Sequence, residues 1–212
     1  MHMTRPVSIL VLGCALLACV ANAAPPNDAP PPGCDHDRSG LLALDEDRFD
    51  QDFDGGWRAL AAKPGCKLAA ADLLRDYRQA HNNEAGILYW HEAQLRAMAG
   101  QSAAAIGLMD KSRQPAGRDQ AGWNAYVDAS IAFLRKDRPA LEQARQGLAA
   151  VPFPSDKGMP PLKDGVVELP MKGGKTMKLR WPPNIDVVDG LIQCFDKPYE
   201  EAYGSACRPP AP

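Results

Sequence analysis

Several chemistries have no foothold in this chain. It carries four histidines and six cysteines in 212 residues, and no two cysteines form a CxxC pair. A zinc site built on closely spaced thiolates is therefore unsupported. His91-Glu92 is followed by Ala93-Gln94-Leu95, so the second histidine of a zinc-protease helix is missing. There is no GxSxG elbow, and Lys172-Gly173-Gly174-Lys175 lacks the Ser or Thr that follows in a phosphate-cradling loop. Basic residues are not in excess: 24 Lys and Arg against 26 Asp and Glu give a net charge of −2, which removes any electrostatic reason to expect nucleic acid. Beyond residue 23 no apolar run is long enough to cross a bilayer. These absences point away from an enzyme, and toward an ordinary globular chain long enough to bury a core.

What is present begins with a targeting segment. Arg5 precedes an apolar stretch, Val7 to Ala18, that is too short to span a membrane, and Ala21-Asn22-Ala23 supplies small residues for cleavage. Residues 1–23 thus read as a signal peptide. Leu16-Leu17-Ala18-Cys19 also resembles a bacterial lipoprotein box, which would make Cys19 the site of a lipid anchor, although Leu17 stands where a small residue is usual. Either route predicts a periplasmic or extracellular chain. Loss of Arg5 takes the net charge from −2 to −3. Residues 24–54 follow as a Pro-rich tether and an acidic segment. Export also sets the meaning of the cysteines. If Cys14 and Cys19 leave with the signal, Cys34, Cys66, Cys194 and Cys207 remain, an even number in an oxidising compartment. Of the three pairings open to them, Cys34–Cys66 and Cys194–Cys207 are favoured because each joins neighbouring elements.

Trp57, Trp90 and Trp123 recur at intervals of 33 residues, each near the opening of a stretch that reads as two short helices. Within each helix the apolar residues fall three or four apart, which gives one buried stripe. Gly100 can end a helix in the left-handed conformation, while Asp137 before Pro139 supplies a capping oxygen and a first-turn proline. Ala71, Ala105 and Ala140 each begin the second helix of a unit, where a small side chain lets two backbones approach. A fixed period in this range marks stacked helical hairpins. Over residues 55–153 the pattern resembles the tetratricopeptide repeat, although the family's leucine-glycine pair is missing from the first helix and only the third unit keeps a closing proline, Pro152. The resemblance implies a mainly α fold of stacked antiparallel hairpins whose first helices line a surface for a protein or peptide partner. Tyr89, His91, Gln94, Asn124 and Asp128, on helices otherwise aromatic or apolar, are the candidate partner-binding residues.

Residues 154–212 depart from the repeat. Val166–Met171 and Lys175–Trp181 flank Gly173-Gly174 and predict a β-hairpin, limited by Pro170 and Pro182 to a short ribbon. A helix from Asn184 to Phe195 and another from Pro198 to Cys207 should form a disulfide-stapled cap over the last repeat. The tail Arg208–Pro212 is expected to be disordered. Charge is unevenly spread: Asp35 to Asp54 holds eight acids and two arginines, whereas Lys157 to Arg180 holds six basic residues and two acids.

The sharpest short motif runs from Asp35 to Glu46. Asp35, Asp37, Ser39, the Leu41 carbonyl and Glu46 match the ligand spacing of a 12-residue EF-hand loop, with Gly40 at its sharp turn. A second start at Asp50, Asp52 and Asp54 lacks the closing glutamate, because Ala61 occupies that place. Calcium binding is thus the alternative to a partner-binding scaffold, set against Pro30-Pro31-Pro32-Gly33 where an EF-hand needs an entering helix. Apart from calcium no cofactor is expected.

Overall fold

The computed structural model describes residues 32–155, 158–170 and 176–210. The signal segment with Cys14 and Cys19, nearly all of the Pro-rich tether and the Gly173-Gly174 turn lie outside them. The fold is mainly helical. A short helix α1 (Arg38–Leu42) and a π-helical turn (Asp47–Gln51) precede α2 (Gly56–Ala61), α3 (Lys67–His81), α4 (Gly86–Met98), α5 (Ser102–Lys111), α6 (Trp123–Leu134) and α7 (Arg138–Ala149). After α7 come β1 (Val166–Pro170), β2 (Thr176–Arg180), α8 (Ile185–Gln193) and α9 (Tyr199–Tyr203).

The helix boundaries follow the punctuation of the sequence. At the end of α4, Gly100 takes φ +80°, its N–H donates to Ala97, and the Gln101 N–H donates to Arg96 at 2.8 Å, which satisfies carbonyls the helix would otherwise leave open. Asp137 accepts the Ala140 N–H at 3.1 Å and Pro139 sits in the first turn of α7. Gly122, at φ +76°, opens α6 where any Cβ would fall 2.7 Å from the Leu148 side chain. Only glycine permits that approach between the start of α6 and the end of α7.

Helices pack in sequence order: α2 on α3, α3 on α4, α4 on α5, and α6 on α7. The tryptophans link successive pairs. Trp57 lies 5.1 Å from the His91 ring of α4, and Trp90 lies 4.9 Å from Trp123 of α6. Ala71 and Ala105 are fully buried, as their place at the start of α3 and α5 requires. Two apolar cores result. One gathers Phe49, Trp57, Leu60, Leu73, Leu74 and Tyr77 around α3, the other Trp90, Tyr126, Phe133, Leu141 and Leu191 around α6.

Both favoured disulfides are present, Cys34–Cys66 with Cα atoms 5.4 Å apart and Cys194–Cys207 with Cα atoms 5.9 Å apart. The hairpin pairs β1 with β2 antiparallel, Val167 opposite Leu179, with Val167 turned into the protein. Trp181 packs edge-on to Phe153 and donates to the Val151 carbonyl at 3.1 Å, which anchors the hairpin behind α7. The C-terminal cap lies elsewhere than a simple end cap would. α8 packs on both α6 and α7, while α9 reaches back across α4, and Lys67 of α3 bonds Glu200 at 2.7 Å. Tyr199 and Phe195 meet Phe133 edge-on, both at 5.9 Å. The reason is composition: α6 is apolar on nearly every side, so one partner layer cannot cover it. The tail is also more tightly held than its proline content suggests. Arg208 donates to the Tyr203 carbonyl at 2.6 Å, and the Pro210 carbonyl accepts from Arg180.

Candidate functional site

A groove of about 540 Å³ runs beside α6. Its walls come from one stripe of α6, Ala125, Asp128, Ile131 and Ala132, with Arg135 just past its end, and from the facing stripe of α7, Ala140, Gln143, Ala144 and Gly147. The end of α5 closes one side with Asp110 and Arg113. The groove exists because α7 presents small residues at helical spacing, so the two helices leave a trough instead of an interdigitated seam. The longer connection Ser112–Gly122 also lets α6 sit apart from α5; Asn124 braces it, bonding both the N–H and the carbonyl of Gln114 at 2.9 Å.

The rim is charged. Arg113 is held by Asp110 at 3.0 Å and Asp128 at 2.7 Å, and Asp137 is committed to capping α7. The Arg135 guanidinium has no partner among the described residues and is exposed. It is the cation in the groove still available to a carboxylate.

A second polar cluster lies between the N-terminal segment and α4. Asp50 is fully buried in the π-helical turn. Its Oδ1 accepts from Trp57 Nε1 at 2.8 Å and His91 Nδ1 at 2.7 Å, and Oδ2 accepts from Gln51 at 2.5 Å. Because an ionised carboxylate only accepts, His91 must carry its proton on Nδ1. Burial pushes the Asp50 carboxyl upward, but the His91 hydrogen bond and charge, Trp57 and Arg58 outweigh it and hold the group below the usual carboxylate value. Arg58 also donates to the Asp50 carbonyl. A second buried carboxylate, Glu92, bonds Arg78 and Arg96, and Arg96 continues to Asp72 at 2.9 Å. Both clusters tie the N-terminal segment and α3 to α4.

The residues expected to bind a partner are scattered. Tyr89 is buried, its ring 3.8 Å beneath Arg78 and its hydroxyl bonded to Glu84. His91 is bound to Asp50, and Gln94 lies half-buried beside the Tyr199 hydroxyl. Asn124 braces the α5–α6 connection, as described above. Of the five, Asp128 lines the groove. Arg113, Arg135 and Gln143 join it there; the signal for them was the run of small residues Ala140, Ala144 and Gly147 on α7, which marks a helix face without a filler.

Within the Asp35–Glu46 segment residues 38–42 are helical. Asp37 is the N-cap of α1: its Oδ1 accepts the Gly40 N–H and the Ser39 hydroxyl, both at 2.9 Å, and these bonds, the Gly40 N–H first, lower its carboxyl. The Asp35 carbonyl accepts from Lys63, the Leu41 carbonyl from Leu44, and Glu46 from Asn83 at 2.7 Å. Among the described residues no three His, Cys, Asp or Glu side chains converge on a metal-sized space. No helix among them is long and apolar enough to cross a membrane.

Comparison with protein-family models, with curated proteins and with solved structures finds no match to this chain.

Proposed function

We infer that this chain is an exported, non-enzymatic scaffold of stacked, tetratricopeptide-like hairpins that binds a protein or peptide partner in the groove beside α6. The groove itself carries the reading. Its volume of about 540 Å³ lies within the range of ligand pockets, and its α7 wall of alanines and glycine admits side chains without displacing any. Arg135 offers a free guanidinium for an aspartate or glutamate of the partner, in the planar geometry that suits a carboxylate. Arg113 and Asp128, already paired, fix the rim and add hydrogen-bonding specificity. The two disulfides fit an oxidising compartment, where such a scaffold would meet secreted or envelope proteins.

The test is a displayed random-peptide library selected on the oxidised protein, with the enriched peptides titrated by calorimetry. Peptides carrying an acidic residue should be enriched. Arg135→Glu should weaken them at least about tenfold, and Ala144→Arg, which fills the groove, should abolish binding. Peptides that bind both variants as well as the parent would overturn the assignment.

A further inference from the structure

Three large apolar side chains stand out as exposed among the described residues: Phe53 at 77 %, Met177 at 41 % and Leu162 at 38 %. Phe53 projects beside α2, between the exposed carboxylates of Asp52 and Asp54. The Arg58 guanidinium lies 5.7 Å over its ring and is anchored in turn on the Asp50 carbonyl, so the aromatic is presented on a braced turn. Met177 and Leu162 belong to the hairpin region behind α7. There a cavity of about 660 Å³ has walls of Pro160, Pro161 and Val166 and a rim carrying Lys163, Lys178 and Arg180. Two carboxylates, Asp164 and Glu168, also line it, and Glu168 lies 3.8 Å from Lys178. Arg180 donates through Nη2 to Pro210, while its Nε is buried without a hydrogen-bond partner.

We propose that the chain associates head to tail with a second copy of itself, the Asp52-Phe53-Asp54 turn of one molecule entering the proline-walled cavity of the next. The chemistry matches part by part. A phenyl ring fits an apolar slot of prolines and valine and gains from cations at its face. The flanking carboxylates find Lys163, Lys178 and the Arg180 guanidinium at the rim. Within one molecule these surfaces do not meet: no hydrogen bond, ion pair or ring contact joins residues 32–62 to residues 158–180 among those described. Each molecule therefore keeps a knob and a socket, both unused. A second copy is favoured over an unrelated acidic partner because this chain supplies the complementary shape and charge itself. A contact between two different surfaces does not close on a twofold axis, so it extends past a dimer into a ring or an open filament.

Sedimentation velocity on the oxidised chain tests this, over a concentration series at about 50 mM and about 500 mM salt. The mean mass should exceed that of a monomer, grow with concentration without stopping at a dimer, and fall in high salt. Phe53→Ala and the pair Lys163→Glu/Lys178→Glu should each weaken association at least about tenfold. All three residues are exposed, and circular dichroism checks that the variants fold. Mixing the two variants is decisive: one keeps the socket and the other the knob, so together they should form a one-to-one dimer and nothing larger. A chain that stays monomeric throughout, association unchanged by either variant, or a mixture that remains monomeric would overturn the proposal. Neither variant touches the α6 groove, so the outcome is independent of peptide binding there.

Discussion

The two cores on either side of α4 solve the same packing problem with different chemistry. Around α3 the stack is fastened by buried charge: Asp50 gathers Trp57, His91 and Arg58, and Glu92 gathers Arg78 and Arg96. Around α6 it is fastened by aromatic contact, with Phe133 meeting Phe195 and Tyr199, and Trp90 meeting Trp123 and Tyr126. The first arrangement needs the Asp50 carboxyl ionised and the second needs its phenols neutral. Asp50 is held below the usual carboxylate value, whereas burial drives Tyr126 and Tyr199 far above the usual phenol value. Acid should therefore tell first on Asp50 in the first core, and alkali on Tyr126 and Tyr199 in the second.

The hardest blow to the charged half is Asp50→Ala. It leaves an indole N–H, an imidazole and the Gln51 amide without their acceptor, removes the countercharge of Arg58, and should cost about 3–5 kcal/mol in urea unfolding. Phe133→Ala is its counterpart in the aromatic half, with a loss in the same range of about 3–5 kcal/mol from cavity formation. The disulfides should follow. Opening Cys34–Cys66, which closes 32 residues, should cost about 3.7 kcal/mol, and opening Cys194–Cys207, which closes 13, about 2.9 kcal/mol, if chain entropy dominates. Measuring both as serine pairs tests whether the ends differ only in loop length.

Titration sharpens the contrast. Because the folded Asp50 binds its proton more weakly than the unfolded chain, its contribution is complete above about pH 4 and drains away as pH falls through its folded pKa. Asp50→Asn should flatten the acid limb of melting temperature against pH. The buried tyrosines bind their protons more tightly than in the unfolded chain, so their contribution is complete below about pH 10 and lost as pH rises beyond it. Tyr199→Phe should soften that alkaline limb. At neutral pH the same change should move stability by no more than about 1 kcal/mol, because only Gln94 and Ser130 stand beside the buried Tyr199 hydroxyl. The smallest effect is expected from calcium. With Asp37 and Glu46 engaged in protein hydrogen bonds, millimolar calcium against EDTA should move the melting temperature by less than about one degree, and a larger shift lost in Glu46→Gln would restore the EF-hand reading.

Local signals in the sequence carried local structure. Gly100, Asp137 and Pro139 each marked the helix boundary that the backbone requires there, the tryptophan spacing marked the succession of helix pairs, and the cysteines paired with their neighbours. Two things were out of reach. Nothing in the periodicity of residues 184–207 says that α9 crosses α4, because that depends on which distant face remains uncovered. Polar residues on apolar helices also misdirect: Asn124 serves a loop and His91 serves a buried acid, and both look like binding groups until their partners are known. The groove was marked by what α7 lacks, since Ala140, Ala144 and Gly147 leave space that only a three-dimensional arrangement reveals.

Helical chains whose units touch only their neighbours can open unit by unit. Helix α4 works against that here. Leu88 and Leu95 face the first core while Trp90, Ala93 and Ala97 face the second, so one helix is a wall of both rooms. Opening either half uncovers a face of α4, and α4 cannot leave without opening both. The backbone amides of α4 should therefore be the last to exchange with deuterium, and the two cores should melt in a single transition.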